Sequence, residues 1–189
     1  MRSIIQVNPF HVGTCCLNNG ARQIVYYPKV MFHENCRWEN QMNQAINEQV
    51  IALISEQVGN MPSTVDEMLG LYELKNNQRQ VLSLSLSNYT YHKQAAHGMT
   101  YIKSLTFDFE KEKICQLNDL FTAGANYVQR ISDLIEAQII QRDIPLLGEF
   151  TGIRPDQDFY IADKTLVIYF QLYEITPYVV GLPDRKSVV

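Results

Sequence analysis

Four sets of side chains in this sequence are of a type that could do chemistry. His97 stands in Ala96-His97-Gly98, where a neighbouring glycine lets backbone or ligand approach an imidazole closely. It is a candidate general base or ligand; the structural alternative is that it caps a strand or packs on Tyr89 or Tyr91. Glu174 precedes Ile175-Thr176-Pro177-Tyr178 at the end of an apolar stretch. A carboxylate there needs partners, which Arg154 or tyrosine hydroxyls could supply. Together His97 and Glu174 would give the acid/base pair of a hydrolase. Asp156, Asp158 and Asp163 surround the start of the last apolar stretch. Asp-x-Asp can seed a calcium loop, but the glycine and distal Glu of that loop are missing, so a solvated turn is expected and no metal site. Cys15, Cys16, Cys36 and Cys115 match neither a zinc site nor a compact disulfide framework, and free buried thiols are expected. No GxSxG elbow or HExxH pair occurs, and no Ser or Cys nucleophile motif stands near His97. Neither a cofactor nor a catalytic activity is expected on this ground.

The eleven tyrosines are informative as a group. Tyr89, Tyr91, Tyr101, Tyr160, Tyr169, Tyr173 and Tyr178 fall on strands expected to be neighbours. A tyrosine offers large contact area and a hydroxyl at low entropic cost, which suits protein interfaces and sugar-stacking surfaces. The bland alternative is β-propensity on a half-buried face. Tyr89, Tyr91, His97, Tyr101, Tyr169, Tyr173 and Tyr178 form the candidate binding set.

These side chains must be positioned by strands and two helices. Residues 2–12 read as a short strand broken at Pro9, and Asn18-Asn19-Gly20 as a hairpin turn. Ile24-Val25-Tyr26-Tyr27 returns and stops at Pro28. Residues 38–58 repeat Met42, Ile46, Val50 and Leu53 at helical spacing, capped by Asn35 or Asn40 and ended by Gly59 and Pro62. Residues 71–75 and 81–91 form a second hairpin, whose second arm puts Leu82, Leu84 and Leu86 in the core and Ser83, Ser85 and Ser87 in water. Residues 99–109 make the next strand, turned by Glu110-Lys111-Glu112-Lys113. A second helix is expected over 123–142, then a last hairpin across Asp163-Lys164 with Leu166, Ile168 and Phe170 inward. Strands and helices come in blocks without strict alternation. The expectation is α+β: one domain over 1–189, an antiparallel sheet of five to eight strands with two amphipathic helices packed on it.

Composition excludes some partners. The chain is 46% hydrophobic and 19% charged with net charge −4, and no basic stripe is present to neutralise phosphates, so nucleic acid is not expected. No run reaches the roughly 18–20 apolar residues of a membrane span, and the N-terminus makes a poor signal peptide. The chain is expected to be cytoplasmic or an ectodomain without its anchor.

Several short motifs recur in an order that points to a known family. They are Tyr27-Pro28 before a helix with Ile46-Asn47, then Ala96-His97-Gly98 and Phe107-Asp108-Phe109. Leu117-Asn118-Asp119-Leu120-Phe121, Phe159-Tyr160 and the run from Tyr173 to Gly181 follow. Over residues 26–181 the chain resembles the bacterial domain of unknown function at the C-terminus of the anti-sigma factor RsiV. Related copies stand beside the deacetylase of PdaC-type peptidoglycan deacetylases. The resemblance implies an extracytoplasmic, cell-envelope recognition module that binds a protein such as lysozyme, or peptidoglycan. The chain departs from the RsiV pattern in lacking a transmembrane helix, a sigma-binding segment and the glycine common in the 110–113 turn. The competing expectation is a cell-wall hydrolase using His97 and Glu174.

Overall fold

The computed structural model describes residues 10–31, 35–181 and 184–187; the strand expected before Pro9 lies outside them. Six strands form the larger sheet, in chain order: β1 (His11–Asn18), β2 (Gln23–Met31), β3 (Val65–Gln78), β4 (Val81–His92), β5 (Met99–Asp108) and β6 (Lys113–Ile114). Helix α1 (Cys36–Val58) lies between β2 and β3 in sequence, and α2 (Tyr127–Gln141) follows β6. A smaller sheet holds β7 (Phe159–Ala162), β8 (Thr165–Tyr169) and β9 (Asp184–Ser187), with β8 central. The class is the expected α+β with two helices, but the strands are divided between two sheets.

α1 forms where its apolar spacing requires. Trp38, Met42, Ile46, Val50 and Leu53 are buried at steps of three and four residues, and Asn35 Oδ1 caps the start by accepting from Trp38 N at 3.1 Å. That face packs on Leu82, Leu84, Leu86 and Phe107 of β4 and β5. α2 begins later than expected, because Gly124 takes a left-handed backbone (φ 81°) and breaks the first turn. Its Ile131, Ile135 and Ile139 meet Phe159, Ile168 and Phe170. The opposite face of the small sheet, Tyr160, Val167 and Tyr169, packs with Ile102 of β5. The order of layers is therefore α1, large sheet, small sheet, α2.

That order overturns the solvent assignment of the serines. Ser83 is 0% and Ser85 7% exposed, and Ser87 is half-buried. The reason is that β7 is an edge strand whose backbone groups need partners. Ser83 Oγ accepts from Ile161 N at 3.0 Å and shares a 2.8 Å hydrogen bond with Thr106 Oγ1. Ser104 Oγ donates to Phe159 O and accepts from Tyr169 OH at 3.0 Å. The alternation marks a hydroxyl seam between sheets, where small side chains let the layers approach.

Two local details depart from expectation. β2 runs through Pro28 to Met31, which is tolerable because pairing with β3 is confined to Gln23–Val25 and Pro28 faces only β1. That short β2–β3 pairing is parallel, and it depends on Gly70. A Cβ on Gly70 would stand 2.4 Å from Val25 Cγ1 and 3.0 Å from Val25 Cα, so backbone as well as side chain would have to move. Gly70→Ala is expected to cost about 2–3 kcal/mol; an unchanged urea midpoint would contradict the close approach.

Candidate functional site

Two segments converge to bring three of the candidate residues together. The β4–β5 connection carries His97, and the exit from β8 carries Tyr173 and Tyr178. The His97 and Tyr178 rings stack with centroids 4.2 Å apart. Tyr173 lies beside both, 5.7 Å from Tyr178 and 6.3 Å from His97. Hydrogen bonds fix the set. Gly98 O can only accept, so His97 Nδ1 donates to it at 3.0 Å, and Tyr178 OH donates to the same oxygen at 3.2 Å. With Nδ1 protonated, neutral His97 accepts from Tyr173 OH through Nε2, 3.2 Å away.

Tyr173 is 44% exposed and holds φ 65°, a left-handed backbone that a bulky residue rarely adopts. Tyr89 supports the connection from below. A Cβ on Gly98 would fall 2.3 Å from its ring, so only glycine lets the loop lie flat on Tyr89.

A polar network pins the exit segment to the edge of β5. Glu174 accepts from Arg154 Nη1 at 2.6 Å, Gln157 Nε2 at 3.2 Å and Gln171 N at 2.7 Å. Buried Gln157 also donates to Tyr169 O at 3.1 Å. Gln171 pairs its side-chain amide with the backbone of Ile102, accepting from N at 3.0 Å and donating to O at 2.6 Å, as a neighbouring strand would. Asp158 ties in through Lys103 at 3.2 Å and Gln171 Nε2 at 3.2 Å. Glu174 is thus engaged in architecture beside the rings, with its oxygens turned to Arg154, Gln157 and Gln171. Neither Gln157 nor Gln171 was singled out by sequence; a glutamine flanking a buried aromatic strand was the available signal.

The other candidates lie elsewhere. Tyr91 OH donates to Ala95 O at 3.1 Å and braces the connection. Tyr101 packs on the α1 side with the first core. Tyr169 is 3% exposed and sits in the hydroxyl seam, so it offers no surface to a partner. The three aspartates are dispersed: Asp156 faces Arg154, Asp158 faces Lys103, and Asp163 forms a hairpin tip with φ 54°. All four cysteines are free, but none is buried; Cys16 and Cys36 are exposed. Cys15 and Cys16 stand on β1, which among the described residues pairs only with β2, and that leaves them at a sheet edge.

Burial, with Asp158 nearby, holds the Tyr169 phenol well above its usual value near 10. The unfolded chain loses this proton above pH ~10 while the fold retains it, so the contribution is present below pH ~10 and lost as pH rises. Between pH ~10 and ~11 the wild type is expected to lose about 1 kcal/mol from this group. Tyr169→Phe is expected to lack that slope in urea unfolding measured across the same range.

Comparison with known proteins finds likenesses in sequence and in fold. A family model described as "Protein of unknown function (DUF3298)" matches residues 118–186, which include α2, β7, β8, Tyr173 and Tyr178. The chain is 26% identical over 111 residues to peptidoglycan-N-acetylmuramic acid deacetylase PdaC of Bacillus subtilis (strain 168). That match covers 55% of this chain and 24% of the relative, so the chain spans about a quarter of that relative's length. A crystal structure of a DUF3298 family protein from Pseudomonas aeruginosa PAO1 has a TM-score of 0.64 at 14% identity, over 95% of this chain and 90% of that one. A DUF3298 member from Bacteroides fragilis NCTC 9343 has a TM-score of 0.67 at 12% identity, over 97% and 92%. At those identities the likeness is one of fold. The matches bear out the PdaC side of the resemblance read from sequence.

Proposed function

We propose that the chain is a non-catalytic recognition domain of the bacterial cell envelope that holds cell-wall glycan against His97, Tyr173 and Tyr178. The observation that carries this is the exposed Tyr173 ring, kept in a left-handed backbone and hydrogen-bonded to His97. Backbone strain persists where the surroundings fix it, and it concentrates at ligand sites. The tilted His97 and Tyr173 rings, 6.3 Å apart and backed by Tyr178, give a surface comparable to a sugar ring, with tyrosine hydroxyls at its rim. The similarity to a peptidoglycan deacetylase supports a cell-wall setting. The absence of catalysis is supported by the engagement of His97 Nε2 with Tyr173 and of Glu174 with Arg154.

A protein such as lysozyme is the second reading, in keeping with an RsiV-like role. It is favoured by Val179, 88% exposed next to Tyr178, an apolar contact that a glycan does not need. Co-sedimentation with purified peptidoglycan and capture on immobilised lysozyme separate the two. Retention by peptidoglycan alone supports the glycan reading, and retention by lysozyme alone supports the second. Silence in both sinks the proposal.

A further inference from the structure

At the other end of β4 from the rings, roughly 35 Å away for a 12-residue strand, the β3–β4 and β7–β8 turns face each other. Between them lies a cleft of about 530 Å³ lined by Arg79, Lys164, Asp163 and Gln78, with Val81, Ile161 and Ala162 supplying apolar surface. This volume suits a small-molecule ligand. Its rim carries two cations, Arg79 and Lys164, both exposed and without an ion pair among the described residues. The turn tips also hold Arg79 (φ 53°), Gln80 (φ 62°) and Asp163 (φ 54°) in left-handed backbone, where Asn-Gly would be the least strained choice.

We propose that this cleft binds a small monocarboxylate with a short apolar tail, of about dipeptide size. The ligand carboxylate sits between Arg79 and Lys164, whose cations suit it in charge and, for the guanidinium fork, in geometry. Its tail lies on Val81, Ile161 and Ala162. Asp163 faces any free ammonium of the ligand and disfavours more highly charged anions. The site is independent of the ring surface and of the function proposed for it.

The test is titration of the whole chain, followed by backbone amide NMR, with alanyl-alanine, its C-terminal amide and inorganic phosphate. Alanyl-alanine is expected to shift the amides around Arg79 and Lys164 at about millimolar concentration, and the uncharged amide to bind about 10-fold more weakly. R79A and K164A, both at exposed positions, are each expected to weaken the dipeptide about 10-fold and to leave peptidoglycan retention unchanged. The proposal is overturned if alanyl-alanine shifts nothing, or if its amide or phosphate binds as tightly. Unaltered affinity in both variants would overturn it equally.

Discussion

Gln57→Ala is expected to destabilise the fold by about 3–4 kcal/mol. Gln57 is 7% exposed in the last turn of α1, and its amide uses its whole hydrogen-bonding capacity. Nε2 donates to Asn88 O at 2.7 Å and Met99 O at 2.9 Å. Oε1 accepts from Asn88 Nδ2 at 2.6 Å and Thr90 Oγ1 at 2.9 Å. Truncation strands two carbonyls and two donors in a site closed to water, and leaves a cavity. Gln57→Leu fills the space but leaves the same four groups unpaired, so it is expected to recover less than half of the loss. Urea unfolding with an unchanged m-value reads both. A loss under about 1 kcal/mol in Gln57→Ala would mean that water replaces the amide.

Removing the Tyr173 ring is expected to abolish most glycan binding while stability moves in an informative way. Tyr173→Ala and Tyr173→Gly both delete the ring, and each is expected to reduce peptidoglycan affinity about 30-fold or more, in line with the ~2 kcal/mol of a central aromatic contact. The two differ in backbone. Alanine keeps the cost of φ 65°, and glycine does not, so Tyr173→Gly is expected to be more stable than Tyr173→Ala by about 1 kcal/mol. Equal stabilities would show that the backbone relaxes once the ring is gone. Unchanged peptidoglycan affinity in both variants would remove the ring surface from the function.

The parts of the fold legible in sequence were those governed by a single local period. α1 declared its buried face through Met42, Ile46 and Val50, and β8 declared Leu166 and Ile168. The serine alternation on β4 is a true period of two, but its environment is not legible, because nothing local says that a second sheet will cover a polar face. Strand β9 is silent for a related reason: Asp184-Arg185-Lys186-Ser187 carries no apolar alternation to announce its pairing with β8. In the candidate site, His97, Tyr173 and Tyr178 were named individually, yet the distances that group them depend on how the exit segment folds back. Gln171, Gln157 and Glu174 hold that fold-back, and amides acting as strand mimics carry no periodic signal. Tyr169 and Tyr173 carry the same compositional signal, and only the layer order separates them.

The hydroxyl seam bears on how the chain is made. The first core draws on residues from Phe10 to Ile114, and the second on residues from Cys115 to Ile175. During synthesis the earlier half can therefore close its core on α1 before the later half has left the ribosome. In that interval Ser83, Ser85, Ser104 and Thr106 face water at no cost, which an apolar sheet face could not do without inviting aggregation. Ser83 and Ser104 then exchange water for the backbone of β7, and Thr106 for Ser83. A surface built from serine and threonine is thus soluble while it waits and bonded once its partner arrives.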